Sequence, residues 1–171
     1  MEEDSVVIRP LAKNDAAALL KFYNGLSAAS IRTFRPLGDK TSYNVCQEIV
    51  NENILTPFKR CDLVCFHGAE LVGWAFIENL DEKHPQLGLA VADSLQGKGV
   101  GKTLLGQLLD LASKKGINKV YLIAVTDNQK AINLYKNHGF LTYGEIFDEV
   151  DQLSYFQMVA NLPTSAQTNN G

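Results

Sequence analysis

One short stretch constrains this chain more than any other: Gln96-Gly97-Lys98-Gly99-Val100-Gly101, lying between an apolar run and a long amphipathic segment. Three glycines at alternate positions leave little room for regular structure, and they give the backbone freedom to turn and to expose its N–H groups. The apolar run before them, Leu87 to Ala92, reads as a strand. After them, Val100, Leu104, Leu105, Leu108, Leu111 and Ala112 recur at helical spacing on one face. Lys114 and Lys115 suit the negative end of that helix, and Gly116 caps it. A strand, a glycine turn and a helix amino terminus together make an anion site, most often for phosphate. Lys98 and Lys102 add formal positive charge beside it.

The remaining chain supplies elements on either side of this unit. Val6 to Ile8, ended by Arg9-Pro10, predicts a first strand. Asn14-Asp15 offers an N-cap for a helix carrying Ala16, Leu19, Leu20 and Tyr23, which Asn24-Gly25 stops. Ser27 to Gly38 reads as irregular connection. A helix over about Thr41 to Asn53 follows, with Val45, Ile49 and Val50 inward, closed by Thr56-Pro57. Asp62 to Phe66 and Leu71 to Ile77 flank His67-Gly68-Ala69-Glu70, a hairpin pattern. Lys119 to Val125 is almost unbroken apolar sequence, as a central strand requires. Asp127-Asn128 caps a last helix to about Asn137, and strands near Leu141 to Phe147 and Leu153 to Val159 complete the domain. Residues 1–162 therefore read as one domain, and the polar stretch 163–171 as a disordered tail.

Composition narrows the function classes. The chain has 171 residues, 46% of them hydrophobic, and a net charge of −3, so no general basic field attracts nucleic acid or an anionic membrane. The start, Met1-Glu2-Glu3-Asp4, is not a signal peptide, and no apolar run approaches a membrane span. Cys46, Cys61 and Cys65 are odd in number and sit in apolar stretches. Buried free thiols in a reducing compartment are expected, hence a cytoplasmic protein with no metal site.

Two families of phosphate loop compete for the glycine segment. Gly99-Val100-Gly101-Lys102-Thr103 looks like the end of a Walker A loop, and Val120 to Val125 followed by Asp127 like its partner strand. The first glycine of that pattern should stand at position 96, where this chain has Gln96, and about 90 residues precede the loop. The other reading uses Gln96 itself. Gln96 to Gly101 matches [RQ]xxGx[GA] and resembles the pyrophosphate loop of the GNAT acetyltransferases, with Val91 five residues upstream at a strand end. Further on, Asn128-Gln129-Lys130-Ala131-Ile132-Asn133-Leu134-Tyr135 and then Gly139-Phe140 is similar to that family's NxxAxxxYxxxGF. The resemblance covers about Leu71 to Phe140.

The resemblance implies an α/β (α+β) fold of the GNAT acyl-CoA N-acyltransferase type. Its mixed, mostly antiparallel sheet has about six or seven strands with helices on both faces. The fourth and fifth strands splay after a bulge and admit acetyl-CoA, the cosubstrate. It further implies that backbone groups of Leu89, Ala90 and Val91 hold the pantetheine arm, one N–H polarising the acetyl carbonyl. Amides from Gly97 through Lys98, Gly99, Val100 and Gly101 to Lys102 take the pyrophosphate, and Asn128 bonds the pantetheine near its thiol. Tyr135, seven residues after Asn128, fills the position of the general acid that protonates the leaving thiolate. An acceptor ammonium with a pKa of about 10.4 must first lose a proton. Many relatives carry a glutamate on the fourth strand for this, but here that strand begins Gln86-Leu87-Gly88. Glu78 or His84, acting through water, is left as general base.

The expected activity is transfer of acetyl from acetyl-CoA to a primary amine by direct attack in a ternary complex, with a small amine or amino acid favoured as acceptor. A protein or peptide amino terminus or lysine is the alternative acceptor. A non-catalytic acetyl-CoA sensor is the alternative of another class, and Asn128 with Tyr135 argues against it. Arg32 and Arg35 suit a substrate carboxylate, whereas Glu145, Asp148, Glu149 and Asp151 suit a cationic amine. The acceptor is therefore not determined by sequence. A homodimer is compatible with the family.

Overall fold

The computed structural model describes residues 5–163; the expected tail from 164 onward lies outside the described residues. Among the described residues seven strands form one sheet in the order β1-β2-β3-β4-β5-β7-β6. They are β1 (Val6–Pro10), β2 (Arg60–His67), β3 (Glu70–Glu78), β4 (Gln86–Val91), β5 (Lys119–Val125), β6 (Leu141–Asp148) and β7 (Leu153–Asn161). The helices are α1 (Ala16–Asn24), α2 (Ala28–Thr33), α3 (Tyr43–Leu55), α4 (Val100–Lys114) and α5 (Gln129–Asn137). Every pairing is antiparallel except β4 with β5. The mixed, mostly antiparallel sheet expected from the sequence is what forms.

Side-chain alternation divides the core between two sheet faces. On one face Leu63, Ala75, Ile77 and Leu87 meet Leu104, Leu105 and Leu108 of α4 and Ile132 of α5. Those three leucines are fully buried, each worth about 1.5–3 kcal/mol of apolar transfer. Leu109 belongs to the buried set and Leu111 only partly, a one-residue rotation of the expected stripe. Helix α4 ends as its sequence demands: Gly116 takes φ +83°, and Ile117 N–H donates to the Ala112 carbonyl across the cap. On the other face Leu19, Tyr23, Cys46 and Val50 of α1 and α3 cover Val64, Trp74 and Phe76. All three cysteines are buried free thiols, and burial pushes the Cys61 thiol up to about 11.

That second face also holds a buried charge. The Asp62 carboxylate accepts from Arg60 through two nitrogens, at 2.7 and 2.9 Å, from Asn53 at 2.9 Å and from the Trp74 indole at 2.8 Å. Four donors satisfy a carboxylate that is almost wholly inside, which makes its burial tolerable. Sequence reading saw Asp62 only as the start of a strand, because its partners come from three separate segments.

Four other expectations need correction. Residues 28–33, taken as irregular, form α2, because the Ser27 hydroxyl caps its amino end by accepting from Ser30 N–H. Asp15 occupies the N-cap position of α1 but does not cap it with its side chain; its carboxylate instead takes Arg9 and the Ala12 N–H. The β3–β4 register runs unbroken from Glu78 opposite Gln86 to Gly73 opposite Val91, so the splay of β4 follows no bulge there. Finally, β5 is apolar along its length but not buried throughout: Val120, Leu122 and Ala124 face α4, and on the other side Val125 is buried while Ile123 is half exposed.

Candidate active site

Strands β4 and β5 share a single register pair, Gln86 opposite Tyr121, closed by Tyr121 N–H donating to the Pro85 carbonyl at 2.9 Å. Beyond it they diverge, opening a V toward their carboxyl ends. Backbone direction alternates along β4. Ala92 N–H donates back to Val72 on β3, so Ala90 and Gly88 also address β3, whereas Leu89 and Val91 turn their amides into the gap. Of the three β4 residues expected to offer backbone groups, Leu89 and Val91 are thus oriented to do so and Ala90 contributes its methyl group.

The glycine loop closes the wide end of the V. Gly97 and Gly99 have φ of +78° and +85°, values a side-chain-bearing residue adopts only under strain, and Gly99 is the N-cap of α4. A Cβ at Gly101 would reach Val91, Leu89 and Leu134 at ordinary contact distance. Glycine there keeps open the space between the helix and the strand. A groove of about 360 Å³ follows the gap, lined by Leu89, Ala90, Val91, Gln96, Gly97, Gly101, Asn128 and Tyr135 among others. Lys98, Gly99, Val100 and Lys102 do not line it; Val100 is buried in the core beside Cys65 and Val72. Their share in an anion site would fall to backbone amides and to the two exposed ammonium groups.

Tyr135 is buried against the Phe140 ring at a centroid distance of 5.7 Å, and burial pushes its phenol up to about 12. It therefore remains a proton donor throughout the neutral range. Asn128 caps α5 through its side-chain oxygen, which accepts from Ala131 N–H at 3.4 Å. Glu78 and His84 do not line the groove. Both belong near the apex of the V: Glu78 opposes Gln86 across β3–β4, and the exposed His84 ring meets Tyr121 edge-on at 4.5 Å. Three residues of strand separate Gln86 from Leu89, about 10 Å, a span that needs bridging water. Burial raises the Glu78 carboxyl above its ordinary range, with Arg60 at 3.9 Å opposing the shift.

The part of the site that sequence reading missed is its roof. Ala29, Ser30, Thr33 and Phe34 of α2 and its end line the groove opposite α5. Phe34 also packs on Trp74 at 5.7 Å. A clasp holds this short helix: Asp93 accepts from Ser27 N–H at 3.0 Å, Ser27 Oγ at 2.8 Å and Ser30 Oγ at 2.6 Å. Gln96 Nε2 donates to Ser30 Oγ at 3.2 Å and to the Val91 carbonyl at 3.0 Å, joining the clasp to the glycine loop. At its other end Arg32 grips Asp127 with two bonds, at 3.0 and 2.8 Å. Arg35 pairs with Asp39 at 3.2 Å and also with Asp151, which in turn accepts from Tyr155 OH at 2.9 Å. The arginines expected to meet a substrate carboxylate thus already hold carboxylates of this chain. Two of the four residues of the acidic segment are likewise engaged: Asp148 accepts from the Asp151 N–H, and Asp151 holds Arg35 and Tyr155, while Glu145 and Glu149 are exposed. Ser27 before a short run of helix formers was the local signal available for α2.

The features that suggested a Walker loop have other uses. Thr103 Oγ1 donates to the Gly99 carbonyl at 3.1 Å, and Asp127 is consumed by Arg32.

Comparison with known proteins agrees with this geometry. The model of the acetyltransferase (GNAT) family matches residues 28–140. The N-alpha-acetyltransferase RimI of Mycobacterium tuberculosis is 40% identical over 45% of this chain and 49% of its own length. The chain also spans less than two thirds of three further curated relatives it matches. Among solved structures, a GNAT-family acetyltransferase from Streptococcus pneumoniae superposes with a TM-score of 0.80 at 22% identity, covering 93% of this chain and 100% of that one. The spermidine N-acetyltransferase of Vibrio cholerae, in complex with CoA and spermine, gives 0.76 at 20% identity over 93% and 96%. With a family model over most of the chain and a splayed, glycine-closed groove beneath it, this protein belongs to the acetyltransferase (GNAT) family.

Proposed function

We propose that this protein transfers the acetyl group of acetyl-CoA to a primary amine of a small molecule, by direct attack within a ternary complex. The observation that carries the reading is that one groove contains the gap-facing Leu89 strand, the glycine loop and Tyr135. The amides of the loop and the amino end of α4 suit a pyrophosphate, and the unpaired edges of β4 and β5 suit an extended pantetheine arm.

In this reading Leu89 N–H donates to the thioester carbonyl as its oxygen gains charge. The neutral amine forms the new C–N bond, the C–S bond breaks, and Tyr135 passes its proton to the departing sulfur. Glu78 or His84 takes the amine's surplus proton through water. Glu78 has the more suitable environment, since its raised affinity for protons makes it a stronger base than an exposed carboxylate. The buried thiols fit a reducing compartment, and we place the protein in the cytoplasm.

Isothermal titration with acetyl-CoA, alongside ATP with magnesium, tests the cosubstrate, and release of free CoA with an amine panel tests the transfer. Micromolar binding of acetyl-CoA without ATP is expected; binding of ATP alone would refute the reading. A peptide amino terminus is the second acceptor class, favoured by the similarity to RimI. It would appear as CoA release with short peptides and not with free amines.

A further inference from the structure

The charged groups around the groove and the uncharged wall beside it together restrict what the acceptor can be. A hollow of about 600 Å³ behind α2 is lined by Arg32, Arg35, Asp39, Lys40 and Asp151, a ready appearance of a charge-reading site. Each of these is already partnered. Arg32 holds Asp127, Arg35 holds Asp39 and Asp151, and Lys40 donates to the Asn24 carbonyl at 2.9 Å. The hollow also shares no lining residue with the groove, because the two lie on opposite sides of α2. A carboxylate or second ammonium bound there would be on the wrong side of the helix from the thioester.

The thioester is reachable instead from the sheet face that α1 and α3 cover only as far as β4. Cross-strand register carries that face onward from Gln86 to Tyr121 on β5, Val159 on β7 and Leu141 on β6. One step nearer the open V it presents Ile123, 50% exposed. Tyr143 meets Tyr121 edge-on at 6.1 Å, and Ile146 stands opposite Tyr155. Ile123, Tyr143 and Ile146 are exposed here and border the gap between β4 and β5, whereas Val125 and Tyr155, farther along the same face, are buried.

We infer that the acceptor amine is carried on an uncharged aliphatic or aromatic body, seated against Tyr121, Ile123 and Tyr143 and not recognised through a second charge. The inference rests on the acetyl-transfer reading above. An amine entering over this wall loses hydration from its apolar body at a gain. A carboxylate or second ammonium on the same body would find no charged partner among Tyr121, Ile123 and Tyr143, the His84 ring against Tyr121 lying toward the apex.

Matched acceptor pairs isolate the second charge. CoA release is measured with hexylamine against 1,6-diaminohexane, and with phenethylamine against phenylalanine, whose amines are of similar basicity, after acetyl-CoA binding has been established by calorimetry. The neutral-bodied member of each pair should lead in kcat/KM by about tenfold or more. Ile123→Asp, at an exposed position, should lower kcat/KM for hexylamine by about tenfold with acetyl-CoA affinity unchanged. Equal or better rates with the diamine or the amino acid would overturn the inference. So would an Ile123→Asp protein that keeps full activity, including one that merely converts a dimer to a monomer in sedimentation, since a second copy would then be the occupant of this face. Failure of acetyl-CoA to bind would sink the parent reading as well, and is seen before any acceptor is added.

Discussion

Helix α2 has six residues, none of them buried, so little besides its clasp keeps it over the groove. Replacing Asp93 with Ala removes three hydrogen bonds, those from Ser27 N–H, Ser27 Oγ and Ser30 Oγ. They are exposed, so each is taken at about 0.5 kcal/mol, the low end for a protein hydrogen bond, and together they come to ~1.5 kcal/mol. That corresponds to about a tenfold shift between a closed and an open roof. Apparent affinity scales with the population of the binding-competent form, so with closed and open roofs comparably populated in the free protein the Kd for acetyl-CoA should rise between about threefold and tenfold. The lower bound applies if the Arg32–Asp127 pair and the Ser27 cap retain part of the roof. Calorimetry gives the Kd, and steady-state kinetics should place the change in KM for acetyl-CoA with kcat nearly kept. The loss is local, so Tm should fall by less than about 2 °C. Asp93→Asn keeps one oxygen acceptor and should lie between. An unchanged Kd in Asp93→Ala would refute the role of the clasp. A Tm drop of more than about 4 °C would instead make Asp93 a general stability element. The clasp should also survive mild acid. Hydrogen bonds from Ser30 and Ser27 hold the Asp93 carboxyl below its ordinary 3.8, so its contribution is present above that pH and is lost as pH falls through the lower, folded value.

Other perturbations test the remaining parts of the site and the core. Tyr135→Phe keeps the ring packing on Phe140 and removes only the hydroxyl; kcat should fall by about 10²–10⁴ with the acetyl-CoA Kd unchanged, as read by CoA release and calorimetry. Glu78→Gln should remove the acid limb of the pH–rate profile and leave the rate at high pH, where an amine needs less help; an unaltered profile would assign the limb to His84 or to the substrate. Burial raises the Glu78 carboxyl above 4.5, so its contribution to stability is present below 4.5 and is lost as pH rises through the folded value. Urea unfolding at pH 4 and pH 7 should accordingly show Glu78→Gln gaining on the wild type at the higher pH. Asp62→Ala leaves the buried Arg60 guanidinium only the longer contacts to the part-exposed Glu52 and Glu78, at 3.5 and 3.9 Å, and should cost about 3 kcal/mol in the same assay.

What was legible in the sequence and what was not divides along the range of the forces involved. Gly97 and Gly99 are required by φ values set within the loop itself, Gly116 by its own cap, and Asn128 by the first turn of its own helix. Each is a local demand, and so the glycine loop and the helix caps could be read from consecutive residues. The roof could not. Asp93 reaches Ser27 across 66 positions, Arg32 reaches Asp127 across 95, and Arg35 reaches Asp151 across 116. The same separation explains why the acceptor seemed to be signalled in two opposite directions. Arg32 and Arg35 suggested a carboxylate, and Glu145, Asp148, Glu149 and Asp151 suggested a cation, because each set was read without the other. In the fold, Arg35 and Asp151 are partners, and Arg32 is spent on Asp127, the residue next to Asn128. The two arginines, with Asp127 and Asp151, therefore form ion pairs that tie α2 and the segment after it to the ends of β5 and β7. Once they are paired, the surface left to meet an acceptor is the one composition alone would not single out: Tyr121 and Ile123 of β5 with Tyr143 and Ile146 of β6, the part-exposed stretch of the face opposite α4.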